Sequence, residues 1–476
     1  MQYPRNMSIA LAIGVASTLC ARAAGATGSE AEQLRAELAA TRAAFETRIA
    51  ALEARLGAIE TPPTKGEPVR SEQLDTIESR LQQVEIVANQ PPQTSANAFN
   101  PQMSVILAGT WANLDENPDD YMLGGFVPAG GEGGPGERGF SLGETELTLS
   151  ASIDPLFYGQ VTFAVDAGDE ISAEEALVRT SALPDGFTAQ FGRFYSALAY
   201  QNAQHAHTWD FSDIPLVYQA MFGGQYKTEG LQLKWLAPLE QFVELGVEFG
   251  NGDQFPGQDD GNGVGAYTLF ASTGNDIGAS ASWKGGIAWL GTEAGSRVYA
   301  EPDPSRQDVS NPTEFNGDST TWNTYLVYKW APNGNGQEHH FTLQGEYFDR
   351  HEDGVMLQLN TSRGNGRSSY RGDPSGWYLQ GVYQFMPRWR VGLRYDSLDS
   401  GTLRLRSLDG VLRDADFPTL ATYDPDRTTL MLDYSPTEYS RLRLQYAHDQ
   451  SAPGATDQQL YLQYLMSLGA HGAHQF

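Results

Sequence analysis

The stretch RLRLQYAHD, Arg441 to Asp449, sets Leu442, Leu444, Tyr446 and His448 on one parity and Arg441, Arg443, Gln445 and Ala447 on the other. Successive side chains of an extended strand point to opposite faces, so the segment predicts a strand with one apolar and one charged face. WRVGLRYD repeats the pattern: Trp389, Val391, Leu393 and Tyr395 oppose Arg390, Gly392, Arg394 and Asp396. In QLYLQYLMSL, Leu460, Leu462, Tyr464, Met466 and Leu468 oppose Gln459, Tyr461, Gln463, Leu465 and Ser467. A soluble β-sandwich also alternates, so alternation alone does not separate it from a membrane barrel.

Three further features select the barrel. Tight turns (ALPDGF, APLEQ, APNGNGQ, FMPRW, YSPTEYS) take turns with long polar stretches, read as loops over 251–264, 292–318, 351–374 and 398–426, as in barrels with short periplasmic and long external connections. Trp235, Trp322, Trp330, Trp377, Trp389, Tyr434 and Tyr464 fall on the apolar parity, where interfacial girdles sit. The other parity carries Glu144, Glu146, Lys234, Glu244, Glu248, Lys329, Glu346, Arg390, Arg394, Arg441 and Arg443, too many charges for a dry core, so this face is expected to meet water. The segments number about 15 to 16, and an even count near 16 implies a lumen wide enough for a channel. The expected fold is an all-β transmembrane barrel of about 16 antiparallel strands over residues 102–476, preceded by a short α-helical coiled coil.

Composition agrees with this class. The chain has 22 Tyr, 21 Phe and 9 Trp beside 51 Gly, a strand-and-turn mixture. Its acid excess of 28 rises to 30 once Arg5 and Arg22 leave with a leader, which argues against nucleic acid as a partner. Mean hydropathy is −0.41, and no apolar run beyond the leader reaches the roughly 20 residues of a membrane helix.

Residues 1–23 read as a signal peptide: Arg5, the apolar run SIALAIGVASTLC, then Ala21-Arg22-Ala23 as the cleavage site. Cys20 is the lone cysteine, so cleavage after Ala23 leaves neither a disulfide nor a thiolate ligand. Over 30–60, Leu38, Phe45, Leu52 and Ile59 recur every seven residues, with Ile49 and Leu56 filling the second seam position, which predicts a coiled coil. Residues 61–72 form a Pro-bearing linker, 73–89 a second helix on Leu74, Ile77, Leu81, Val84 and Ala88, and 90–101 a polar linker. These helices are expected in the periplasm, pairing with other copies of the chain.

QNAQHAHTWDFSDIPLVYQAMFG, 201–223, holds the chemistry-bearing cluster. His205 and His207 lie on one side of an extended loop, with Asp210 as a third ligand, so zinc or copper is the candidate ion and no other cofactor is expected. The competing reading is a steric and electrostatic constriction with Asp213 in it. Neither G-x-S-x-G nor H-E-x-x-H occurs, and an enzyme is not expected.

EEALVRTSALPDGFTAQFGRFYS (174–196) resembles the corresponding region of phosphate-selective-porin-like outer-membrane channels, which also often begin with a short coiled coil. With FSLGETELTLSASIDP, QHAHTWDFSDIPLVYQAMFG, YSPTEYSRLRLQYAHDQ and the end SLGAHGAHQF, the chain is similar to the branch called zinc-regulated outer-membrane receptors. The resemblance implies a trimeric or monomeric outer-membrane pore whose third external loop folds into the lumen, which makes residues 195–220 the candidate constriction loop. The expected function is passive diffusion of small hydrophilic solutes or ions through a homo-oligomer held by coiled coil or barrel wall, in outer-membrane lipid. Glu144, Glu146, Asp213, Lys329, Arg390, Arg394, Arg441 and Arg443 are the expected pore-lining set. The alternative is a zinc-binding uptake protein.

Overall fold

The computed structural model describes residues 101–130, 134–165, 171–258, 262–306 and 309–469. The leader, both predicted helices, their linkers, and His471 and His474 lie outside the described residues.

Nineteen strands form one sheet. In chain order they are β1 (Gln102–Leu114), β2 (Gly139–Leu142), β3 (Thr145–Ser152), β4 (Phe157–Val165), β5 (Ile171–Thr180) and β6 (Phe187–Tyr195). A short helix α1 (Leu216–Phe222) precedes β7 (Lys227–Leu236), β8 (Phe242–Gly250), β9 (Ala266–Ile277), β10 (Ala281–Pro302), β11 (Ser310–Trp330) and β12 (His340–Thr361). Then come β13 (Gly364–Gly372), β14 (Ser375–Met386), β15 (Trp389–Asp399), β16 (Arg404–Ser407), β17 (Asp426–Thr437), β18 (Ser440–Gln450) and β19 (Asp457–Gly469).

Every pairing is antiparallel, and β1 closes on β19 from Ser104↔Gly469 to Leu114↔Gln459. β2 and β3 both pair with β1 and make one interrupted wall strand, while β16 pairs with β13 beyond the end of the wall. The wall is therefore a closed barrel of sixteen antiparallel strands. Closure leaves no ladder edge unpaired, the condition for a sheet to stand in lipid.

Parity follows the alternation in the sequence. On β18, Leu442, Leu444 and Tyr446 are 42–45% exposed, whereas Arg443, Gln445 and Asp449 are at most 2% exposed. The outward row continues through Val391, Leu393, Tyr395, Leu462, Tyr464 and Met466. Burial of the opposite row is where the structure departs from a wet lumen: Arg394, Arg427 and Arg443 are nearly inaccessible. Their water is replaced by protein, because long loops fold inward and supply carboxylates and carbonyls.

Two predicted loops are strand instead. β10, β11 and β12 run 22, 21 and 22 residues, so 292–302, 310–318 and 351–361 continue the ladder, and β13 takes 364–372. Above the apolar band the outward row is no longer uniformly apolar and the inward row mixes charged with apolar residues, which removes the alternation of polarity that marks the membrane part. The inner face of this raised wall is nevertheless packed. Arg297 makes a two-bond contact with Glu352 at 2.7 and 3.1 Å and lies over the rings of Phe255 and Phe315. Val127, Phe417 and Leu420 close over the same cluster from neighbouring loops. Stretches 251–264 and 398–426 are mainly loop, as predicted, apart from β16.

Candidate functional site

The connection between β6 and β7, residues 196–226, crosses the barrel interior. Its neck is fixed by Asn202, whose Nδ2 donates to the carbonyls of Ser196 and Tyr226 at 2.8 Å and whose Oδ1 accepts from Tyr226 N at 2.7 Å. From there the chain reaches β12, where the Glu346 carboxylate accepts from Tyr200 N, Gln201 N and the Tyr218 hydroxyl. It then reaches the opposite wall. Ser212 N donates to Gln445 at 2.9 Å, Leu216 N to Asp396 at 3.0 Å, and the Trp209 carbonyl accepts from Arg441 and Arg443. Buried backbone groups need such partners, so the inward polar row of the barrel is what holds the loop.

All seven residues of α1 are buried. Tyr218 meets Phe348 edge to face at 5.1 Å, and Leu216, Val217 and Met221 are fully covered by the same cluster. Gly223 caps the helix at φ 70°, and a Cβ there would stand 2.5 Å from the Gly130 carbonyl, so glycine is required where α1 abuts the loop between β1 and β2.

The two walls carry different chemistry. On β15, β17 and β18, the arginines are neutralised in pairs. Asp213 sits 2.8 Å from both Arg394 and Arg427, and Asp433 lies 2.9 Å from Arg443. Burial would raise the Asp213 carboxyl, but Arg394, Arg427 and the Gln445 amide outweigh it and hold the group below the usual carboxylate range. On the β3 and β5 side, carboxylates outnumber cations. Glu146 and Glu174 are 2–3% exposed, Glu175 is 9% exposed, and Lys227 lies 3.2 Å from Glu174. Adjacent residues of a strand should face opposite ways, yet Glu174 and Glu175 both turn inward. A bulge opposite Thr162 and Phe163 inserts Glu174 as the extra residue.

Into this acidic wall the loop delivers its histidines. Ala206–Thr208 form a tight turn, pinned by Thr208 Oγ1 on the His205 carbonyl at 2.8 Å and by Trp209 Nε1 on the Gln204 carbonyl at 2.9 Å. His207 Nδ1 is 2.6 Å from Glu146, and His205 Nδ1 is 3.4 Å from Glu146 and 3.8 Å from Glu174. His205 Nε2 reaches Glu175 at 3.1 Å.

Cavities approach this layer from both ends. One of about 520 Å³ lies toward the long loops and is lined by Thr110, Glu144, Glu174, Asp213, Lys227 and Tyr461. The other, about 430 Å³, lies toward the short turns and is lined by Ser104, Glu146, Thr148, Gln160, His207 and Lys234. Glu144 and Glu174 on one side and Glu146 on the other have carboxylate oxygens within 4.8 Å of one another, so the two spaces are separated by the carboxylate and imidazole layer.

Of the sequence-predicted ligands, His205 and His207 converge and Asp210 does not. Asp210 pairs with Arg390 at 2.7 Å on the arginine wall, and Glu146 takes its place beside the imidazoles. Asp213, Arg390, Arg394, Arg441 and Arg443 do face inward, but Arg394 and Arg443, each 1% exposed, are locked to the loop rather than lining open space. Glu144 lines the cavity on the long-loop side, and Lys329 lies on the same β11 face as the buried Val327. Sequence reasoning missed Glu174 and Glu175, whose signal was an adjacent acidic pair breaking the alternation of β5.

No family model matches the chain. An uncharacterized protein of Aquifex aeolicus (strain VF5) is 29% identical over 410 residues, 80% of this chain and 81% of that protein. Among solved structures, a loop-deleted OmpT of Vibrio cholerae superposes with a TM-score of 0.48 at 12% identity, over 77% of this chain and 99% of that one. The outer membrane channel DcaP of Acinetobacter baumannii gives 0.45 at 14%, over 77% and 97%, and an anion-selective porin from Comamonas acidovorans gives 0.45 at 10%, over 77% and 99%. Likeness this distant carries nothing about function, and the barrel rests on its own strand pairing.

Proposed function

We propose that the chain is an outer-membrane channel for passive diffusion of small hydrophilic solutes or ions, with a path along the β1–β7 side. The carrying observation is the pair of polar cavities that approach each other from the two mouths of a barrel whose outer face is apolar. The arginine side is closed by α1 and by the ion pairs of Asp213 and Asp433, so what passes must pass the acidic layer. Unbalanced carboxylates in a narrow, poorly hydrated neck favour cations over anions. Short turns and both barrel termini on one end support a periplasmic orientation for that end, and the heptad pattern within residues 30–60 supports assembly into a homo-oligomer.

Reconstitution of the mature protein in planar bilayers tests this reading. Small steps of conductance with a cation-preferring reversal potential are expected, from a protein that fractionates with outer membranes and shifts mobility on heating. Barrels that insert yet pass no current would overturn it. A second reading, a metal-binding uptake protein, is favoured by one specific observation, the convergence of His205, His207 and Glu146.

A further inference from the structure

We infer that Glu146, His205 and His207 form a binding site for one divalent transition cation of the zinc class, with Glu174 as the fourth donor and Glu175 as the group that orients His205. The inference deepens the channel reading and rests on it for its location in the path, but the site itself stands on geometry.

One ligand atom from each of Glu146, His205 and His207 lies within 4.8 Å of the others. A tetrahedral ion with bonds of about 2.1 Å separates its ligands by about 3.4 Å. His205 Nδ1 stands 3.4 Å from Glu146 and 3.8 Å from Glu174, so these donors are spaced for an ion between them rather than for a direct hydrogen bond. The His207 contact with Glu146, at 2.6 Å, is a hydrogen bond and has to open by less than the width of an atom.

A second, independent observation shows which nitrogen is left for the ion. His205 Nε2 is 3.1 Å from Glu175, and a carboxylate accepts only, so this nitrogen carries the proton. Nδ1 then faces Glu146 and Glu174, and Nδ1 and Glu174 Oε2 are buried with no hydrogen-bond partner. An imidazole nitrogen set against two carboxylates is stabilised there by a positive charge between them, a proton or, in its place, a metal ion. A carboxylate holding the far nitrogen of a ligating histidine is also the usual outer support of such sites. The histidine turn is fixed independently by Thr208, Trp209 and Gln225, which lowers the ordering cost of binding.

Two imidazoles with carboxylates suit zinc and its transition-metal neighbours, whereas calcium and magnesium favour all-oxygen ligation. The site lies between the two cavities, so an ion bound there stands in the proposed path. A cation held in that layer neutralises its carboxylates and narrows the passage at once.

The test uses the full mature protein in detergent, stripped with chelator, titrated with zinc chloride at pH 7.5, with magnesium chloride as the control. Expected are one strong zinc site per chain that excess magnesium leaves unchanged, weakening at least tenfold in both His205→Ala and Glu146→Gln. Glu175→Gln, which removes no ligand, should weaken zinc about 10- to 100-fold through the orientation of His205, a loss that a merely structural role would not produce. Heat-shifted mobility verifies that each variant is a folded barrel. Equal zinc binding by wild type and His205→Ala, or none by wild type, overturns the site and leaves the layer as a hydrogen-bonded cluster. The two readings fail separately. Zinc bound by a barrel that passes no current sinks the channel alone, and currents indifferent to zinc with no zinc bound sink this site alone.

Discussion

Glu346 is the clearest lever on the inner loop. Its carboxylate accepts from Gln201 N at 2.8 Å, Tyr200 N at 3.2 Å and the Tyr218 hydroxyl at 3.0 Å, all on the loop, and from Tyr378 and Asn323 on the wall. A hydrogen bond to a charged group contributes about 1.5–3 kcal/mol, and a buried donor left without an acceptor costs about 1–3 kcal/mol. In Glu346→Ala the Tyr218 hydroxyl can turn and Asn323 can take a water, but the two backbone N–H groups have nowhere to go. The net loss of loop docking is about 3–5 kcal/mol, or roughly two to four decades in the ratio of docked to undocked loop at about 1.36 kcal/mol per decade. Glu346→Gln keeps one acceptor oxygen and should fall between. Three readouts follow the change: single-channel conductance, which should rise and become noisy, protease cutting within 196–226, which should appear, and the melting temperature. A variant with wild-type conductance, protection and melting would refute the idea that this carboxylate holds the loop.

Two further outcomes follow from the same anchors. The Asp213 carboxyl, lowered by Arg394 and Arg427, contributes docking stability that is present above its ordinary value of about 3.9 and is lost as pH falls through the lower value of the folded protein. Conductance should therefore hold steady on acidification to about pH 4 and rise below it, while Asp213→Asn should be leaky already at pH 7. A wild-type transition centred above pH 5 would exclude this carboxylate as the cause. Deleting residues 30–90 should leave a barrel that still inserts but weaken its oligomer, as read by crosslinking in native membranes. An unchanged oligomer would assign assembly to the barrel wall.

The outer face was legible because lipid leaves no choice. Leu442, Leu444 and Tyr446 must share a side, and a one-residue slip in register would put Arg443 into hydrocarbon. The inner face was half legible. Charges such as Arg394 and Arg443 were correctly placed inward, yet beside strand partners such as Asp396 and Asp433 they bind a loop distant in sequence, and no local pattern announces that Asp213 will meet Arg427. The same blindness sent Asp210 to the histidines rather than to Arg390. Glu174 was hidden by the bulge, because parity arguments assume an unbroken ladder. Long strands such as β10 read as loops because the inward row there mixes Arg297 and Glu301 with Ala294 and Tyr299, so polarity no longer alternates although burial does.

The seam between β1 and β19 has a consequence for how the barrel is made. Its partners, Ser104 with Gly469 and Leu114 with Gln459, come from opposite ends of the described chain, so this ladder forms only after the last of the described strands has been made. Until then two edges stand open, and in hydrocarbon each unpaired amide costs several kcal/mol. Pairings of such high sequence separation are slow because loop-closure entropy precedes any gain. A chain truncated even one strand short would present a permanent edge, ready to pair with another such chain. The lifetime of the unclosed chain is thus the stage most exposed to aggregation.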